Sequence, residues 1–132
     1  MLVRNEIFEV VQNNPVLRNL AESKDVPVRI SFRLARVLKA LDENLKIYLS
    51  AKQKLIEKYC KRDEKGEPIV ENNQYTIPPD NLETFQKEYF ELLALEIDLG
   101  VDKIKAKFDD IPNGLVSTTD ILFLEIFFDF EE

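Results

Sequence analysis

Residues 31–62 carry one long helical pattern. Apolar side chains recur there at alternating steps of three and four, which places them on one narrow stripe of a helix: Leu34, Leu38, Leu41, Leu45, Tyr48, Leu55 and Tyr59. The segment has no Gly or Pro, and Ser31 is placed to cap its first turn. A helix this long needs other segments, or another copy of the chain, to cover so narrow a stripe.

Length and composition set the class of protein. The 132 residues, 45% of them hydrophobic, predict one domain over residues 1–132 with a modest core. No apolar run approaches the length of a membrane span, and Glu6 and Glu9 interrupt the segment where a signal peptide would be apolar. The single cysteine, Cys60, excludes an intrachain disulfide and favours a reducing cytoplasm. An incidental thiol is favoured over a redox role, although cations surround it in sequence.

The charge is unevenly distributed. The net charge of −7 argues against general nucleic-acid binding. Residues 29–62 hold ten basic and three acidic side chains, whereas the remainder holds eight basic and 22 acidic ones. The favoured interpretation is that acidic segments fold against the basic helix. The alternative leaves open a basic face, formed by Arg33, Arg36, Lys39 and Lys46, for an acidic partner or an RNA backbone.

Short elements are predicted before the long helix. Residues 1–22 read as N-terminal helices, interrupted at residues 13–15 because Asn favours turns and Pro disfavours a helical residue before it. Residues 23–30 alternate, with Val26, Val28 and Ile30 on one side, and predict an edge strand.

A hairpin and a second helix are predicted after it. Residues 68–77 form two short strand-like runs around Asn72 and Asn73, which tolerate the positive φ angles of a tight turn. Residues 80–95 predict a helix opened by a capping box of Asp80 and Glu83. The short connection favours antiparallel packing of this helix on the long one.

The C-terminal third changes period. Residues 96–108 alternate around Gly100 and predict a second β-hairpin. A final helix over residues 119–128, capped from residues 117–119, is apolar nearly all round. The Phe-rich tail, defined as Phe127, Phe128 and Phe130, is expected to dock into the core or into another subunit. The predicted fold class is therefore α+β, mainly α: a long antiparallel helical hairpin joined by a small β-hairpin, with a second short β-hairpin and a C-terminal helix.

The chain lacks the residue types that most kinds of catalysis require. The chain has no histidine, which removes the usual nucleophile activation and imidazole metal ligation. The three glycines each fall in a predicted turn, so no phosphate-binding loop can be written. Paired carboxylates could hold a divalent ion, as in a metal-dependent nuclease, at residues 63–67, 96–98 or 109–110. Chance pairing among 25 acids is the favoured explanation, so we predict no catalytic residue, no cofactor and no metal.

One segment of the sequence resembles a known protein family. Residues 54–75, KLIEKYCKRDEKGEPIVENNQY, resemble a family of small uncharacterised phage and prophage proteins of Gram-positive bacteria, and residues 26–34 and 96–107 are also similar. The resemblance implies an accessory protein of the host cytoplasm, with incorporation into the virion as a further option. It supplies no functional residue.

These observations favour a non-enzymatic protein that acts through protein–protein interaction. The partner would be a host or viral protein or a second copy of this chain; a membrane is not expected, and a nucleic acid is disfavoured. The candidate contact residues are the basic face and the Phe-rich tail. The alternatives are an acidic inhibitor of a host defence or nucleic-acid enzyme, a virion assembly component and, last, a carboxylate–metal nuclease.

Overall fold

The architecture, seen in a computed structural model that describes residues 1–131, is α+β and mainly α. The elements in chain order are β1 (Leu2–Arg4), α1 (Ile7–Val11), α2 (Val16–Glu22), α3 (Val28–Tyr59), β2 (Val70–Glu71), β3 (Gln74–Tyr75), α4 (Pro79–Ala94), β4 (Glu96–Asp98), β5 (Ile104–Lys107), a 3-10 turn (Phe108–Asp110), α5 (Thr118–Leu124) and β6 (Phe128–Glu131).

Helix α3 is the element on which the others pack. Its 32 residues span about 48 Å at the helical rise. Helices α1, α2 and α4 and strand β5 all contact it. The first part of the predicted apolar stripe is buried, including Leu34, Leu41 and Tyr48, whereas Leu55 and Tyr59 are only half-buried. The covering segments therefore concentrate on the N-terminal two thirds of the helix.

Both ends of α3 lie three residues before the predicted ones. The edge strand predicted over residues 23–30 is wrong, because the helix starts at Val28, directly after Pro27. Val26 and Ile30 are buried but Val28 is 85% exposed, so these residues follow helical spacing rather than alternation. Ser31 does not cap the helix; its backbone N–H donates to the Pro27 carbonyl at 3.1 Å.

Helix α4 lies antiparallel to α3. Near its start, the Asn81 side chain donates to the Tyr59 carbonyl at 3.2 Å. Two turns further on, the hydroxyl of Tyr89 lies 3.5 Å from that of Tyr48. The helix bounds are within one residue of the predicted ones, but the predicted capping box of Asp80 and Glu83 is wrong. Pro78 occupies the N-cap position and no side chain caps the helix, because a proline in the first turn leaves one fewer free N–H to satisfy.

The strands form three separate pairs. Strands β2 and β3 are antiparallel and join through Asn72 and Asn73, whose φ angles are +52° and +62°, so a hairpin lies where the sequence predicts one. Strand β1 pairs antiparallel with β4, with Val3 opposite Ile97. Strand β5 pairs in parallel with β6.

Three predicted elements are wrong or too long. The N-terminal helices expected over residues 1–22 begin only at Ile7, because residues 2–4 pair with β4. The second hairpin expected over residues 96–108 does not form, since β4 and β5 each pair with a distant strand instead of with each other. The C-terminal helix expected over residues 119–128 ends at Leu124, and the chain then enters β6. Its start was anticipated: Ser117 forms a capping box with Asp120.

One cluster of buried apolar residues joins these elements. It combines Phe8 and Leu20 from the N-terminal helices, the buried side of α3, and Leu124 and Phe127 from the C-terminal segment. The Cys60 thiol is buried at the end of α3 and donates to the Glu57 carbonyl.

Candidate interaction surface

The four residues of the predicted basic face are all exposed. Arg36, Lys39 and Lys46 lie on the side of α3 that faces away from the apolar stripe, and Arg33 lies at the flank of the buried side, one turn before Val37. None of them forms an ion pair with a carboxylate among residues 1–131. No internal ion pair therefore holds these four side chains in place.

Other cations of α3 are neutralised internally. Arg29 lies 3.1 Å from Asp110, Lys52 lies 2.9 Å from Glu9, and Lys58 lies 3.3 Å from Glu88. The favoured interpretation, acidic segments folded against a basic helix, thus describes these three positions. The four residues of the basic face and Lys54 form no ion pair within residues 1–131, and for the basic face the alternative of an open surface stays a prediction.

The basic face borders a cleft between α3 and the loop from β4 to β5. Arg33, Arg36 and Val37 line the helix side of this first cleft, and Gly100–Lys103 line the loop side. Its volume is about 300 Å³. A second cleft of about 290 Å³ adjoins it and is lined by Arg36, Lys39, Ala40, Glu43 and Val101. Lys46 lines neither cleft, so the basic face is divided into three residues at a concave surface and one on open helix.

Short contacts fix the loop side of the first cleft. The Asp98 carboxylate accepts from the Gly100 N–H at 2.9 Å, and Gly100 has a φ of +73°, which favours glycine. The Leu99 N–H donates to the Met1 carbonyl at 3.0 Å, and the Met1 nitrogen donates to the Val101 carbonyl at 2.8 Å. The Gly100 N–H and the Met1 amino group hold the pKa of Asp98 below its usual range. Asp98, one of the carboxylates considered as a metal ligand, therefore accepts hydrogen bonds that hold the loop backbone in place.

The Phe-rich tail is not an open contact surface. Phe127 and Phe128 are buried in the core, which is one of the two docking modes expected for the tail, so they are not exposed to a partner in this fold. Phe130 is half-buried and its ring stacks between two others: the ring centres lie 4.6 Å apart for Phe108 and 5.3 Å apart for Phe128. The parallel pairing of β6 with β5 directs this apolar segment into the core. Of the two predicted contact surfaces, the basic face is therefore the one that is accessible.

A polar cluster at the junction of α1, α3 and α4 was missed by the sequence prediction. Glu9 accepts hydrogen bonds from the hydroxyl of Tyr48, from the hydroxyl of Tyr89 at 3.0 Å and from the ammonium of Lys52 at 2.9 Å. The Lys52 ammonium also lies 5.6 Å from the centre of the Tyr89 ring. The spacing from Tyr48 to Lys52 was visible in the sequence, but Tyr48 reads equally well as a member of the apolar stripe.

The cluster is electrostatically self-consistent. Hydrogen bonds from Tyr48 and Lys52 hold the pKa of Glu9 below its usual 4.5. Burial, together with the hydrogen bond to Glu9, raises the pKa of Tyr48 far above its usual range. Burial acts to lower the pKa of Lys52, but the hydrogen bond to Glu9 and the nearby Tyr89 hydroxyl and Glu9 carboxylate outweigh it and raise that pKa. Each polar group has a partner, so the cluster fastens three helices together.

The remaining carboxylates also make local contacts. Asp63 accepts from the backbone N–H groups of Lys65 and Glu67, both at 2.9 Å, and Asp110 accepts from the Lys107 N–H at 2.9 Å. Within residues 1–131, no three carboxylate or thiol groups come together closely enough to hold a metal ion. Among the helices of the same residues, none combines the length and apolarity needed to cross a bilayer.

Comparisons with protein-family models, with curated proteins and with solved structures find no match to this chain. The resemblance to phage and prophage proteins therefore stays a prediction.

Proposed function

We propose that this chain is a non-enzymatic protein-interaction module that binds an acidic segment of a partner protein through Arg33, Arg36 and Lys39. One observation carries the proposal: these three cations line two adjoining clefts without an internal carboxylate partner, in a chain whose net charge is −7. An unpaired basic concavity in an acidic protein attracts an acidic ligand and repels other copies of the same surface.

The surroundings of the clefts favour a protein ligand over a nucleic acid. Val28 and Phe32, one to two turns before Arg36 on α3, are 85% and 65% exposed. Exposed apolar side chains beside cations suit a partner that supplies both apolar and acidic groups. Asp102 and Glu43, which also line the clefts, interrupt the row of cations that a continuous phosphate backbone would need.

The biological setting follows from the resemblance to phage and prophage proteins and is part of the proposal. An inhibitor of a host enzyme and a virion assembly component would both use such a surface, and they differ only in the partner. Mass spectrometry of purified particles separates them, because only the assembly component stays with the virion. Self-association remains a prediction, now without the Phe-rich tail as its contact.

The direct test is binding of a fluorescent nine-residue peptide rich in Glu and Leu, measured by anisotropy. The double variant Arg33→Glu/Arg36→Glu is expected to weaken binding by about tenfold or more, since close charge pairs contribute at least 1.4 kcal/mol or so in such interfaces. The matched control Lys46→Glu/Lys54→Glu changes the net charge equally on the same helix, outside the clefts. It should reduce affinity only slightly.

Two results would contradict the proposal. Equal weakening by the two double variants would mean that net charge, not the clefts, governs binding. Tighter binding of a nine-nucleotide single-stranded RNA than of the peptide would assign the surface to nucleic acid instead.

A further inference from the structure

We infer that the first cleft is a pocket for a phosphorylated side chain of the partner protein. This inference rests on the proposed function and names the group that the surface recognises.

The charge of the lining suits a dianion. Arg33, Arg36 and Lys103 contribute three positive charges to the first cleft and Asp102 contributes one negative charge, which leaves +2. A phosphorylated side chain carries about −1.5 to −2 at neutral pH, whereas a carboxylate carries −1. The phosphate therefore matches the cleft, and a single carboxylate leaves about half of its charge unbalanced.

The donors available in the cleft also suit phosphate. Arg33 and Arg36 lie three residues apart on α3, so their guanidinium groups emerge on neighbouring parts of the helix surface. Each presents a planar fork of N–H donors that fits two oxygens of one phosphate. Lys103 uses one donor on the Glu125 carbonyl at 3.2 Å and keeps two for a ligand.

The loop adds backbone donors. The N–H groups of residues 101–103 donate to no acceptor among the described residues, whereas those on either side are fixed: Gly100 donates to Asp98 and Ile104 donates to the Phe127 carbonyl, both at 2.9 Å. Successive backbone N–H groups that have no internal acceptor can bind an anion where a turn brings them together. The cleft volume of about 300 Å³ admits a phosphate together with the methylene that carries it.

The second cleft supplies the context of the phosphorylated residue. It adds Lys39 to the shared Arg36 and places Glu43 at its edge. Because Arg36 is already counted in the first cleft, Lys39 and Glu43 leave the second cleft with no further excess charge. Lys39 forms no ion pair with a described carboxylate, so it can still pair with an acidic residue next to the phosphorylated one.

The test uses three versions of one nine-residue acidic peptide, with serine, glutamate or phosphoserine at the central position. We expect the phosphoserine peptide to bind at least about tenfold more tightly than the glutamate peptide, because the second charge and third oxygen engage additional donors. The Arg33→Gln/Arg36→Gln variant should remove most of this preference. The matched Lys46→Gln/Lys54→Gln variant should retain it. Circular dichroism of both variants checks that α3 is intact.

The outcomes separate the inference from the proposed function. Equal affinity for the phosphoserine and glutamate peptides, both above the serine peptide, would overturn the inference and leave the proposed function standing. A phosphoserine preference that survives Arg33→Gln/Arg36→Gln would also overturn it, because the pocket would lie elsewhere. Absence of binding by all three peptides would overturn both.

Discussion

Replacing Glu9 with alanine tests how the three helices are fastened together. The change removes the shared acceptor of Tyr48, Tyr89 and Lys52. The Tyr48 side chain is 2% exposed, so its hydroxyl would keep only the 3.5 Å contact with the Tyr89 hydroxyl. Lys52 is 30% exposed and can turn toward water.

The magnitude follows from these environments. A buried hydroxyl left without a good acceptor costs about 1–3 kcal/mol. The Lys52 pair adds about 0–1 kcal/mol, because both of its side chains are about a third exposed. We expect Glu9→Ala to lower the free energy of unfolding by about 1–4 kcal/mol. Glu6→Ala, which removes an exposed carboxylate at the start of α1, should change it by less than about 0.5 kcal/mol.

Urea denaturation followed by circular dichroism measures the effect. With a slope of about 2 kcal/mol per molar, the midpoint for Glu9→Ala should fall by about 0.5–2 M. The decisive comparison is a double-mutant cycle with Tyr48→Phe. Tyr48→Phe should destabilise the native chain but be neutral or stabilising in the Glu9→Ala background, where it removes the orphaned hydroxyl. The same destabilisation by Tyr48→Phe in both backgrounds would refute this reasoning.

Three further predictions concern acid stability, the cleft loop and the tail. The pKa of Glu9 in the folded chain lies below 4.5, so the contribution of Glu9 to stability is complete above pH 4.5 and is lost as pH falls through the folded pKa. The free energy of unfolding, measured between pH 7 and pH 3, should therefore decline less in Glu9→Gln than in the native chain. An equal decline in the two proteins would contradict this. Gly100→Ala, at a φ of +73° with no atom near the added methyl, should cost about 1 kcal/mol of backbone strain and weaken binding of the acidic peptide. The control Gly66→Ala, at a φ of +81° in a distant turn, should cost as much stability without affecting binding. Equal binding by the two variants would contradict the role of the loop. Phe128→Ala should lower the free energy of unfolding by about 3–5 kcal/mol, measured by urea denaturation. The control Phe90→Ala, at a side chain that is 63% exposed, should lower it by less than about 1 kcal/mol. An equally small loss in both variants would contradict the burial of the tail.

The local parts of the fold were readable from the sequence. The stripe from Leu34 to Tyr59 predicted the long helix because helical spacing is a property of neighbouring residues. The hairpin at Asn72 and Asn73 was predictable because both residues tolerate the positive φ angles that its turn uses. The exposure of Arg36 and Lys39 followed from their position opposite the stripe.

The non-local pairings were not readable. Strand β1 is three residues long and pairs with β4 more than 90 residues away, so its own sequence carries no sign of its partner. The segment around Phe128 is apolar nearly all round, and such a run does not distinguish a buried helix from a buried strand. Glu9 and Tyr48 meet only because α1 docks on α3, and the loop at Gly100 turns a flat basic face into a cleft only through its contacts with Met1 and Asp98.

Arg33, Arg36 and Lys39 must form an open binding surface for the proposed function to hold. Titration of the isotopically labelled chain with the acidic peptide, followed by the NMR shifts of its backbone amides, tests this most directly. We predict that the largest shifts fall on residues 33–40 and 100–103 and shrink as salt is raised from about 50 to 300 mM, because exposed charges are screened within a shorter distance. Shifts that are absent, or that cluster on another face and ignore salt, would contradict the account.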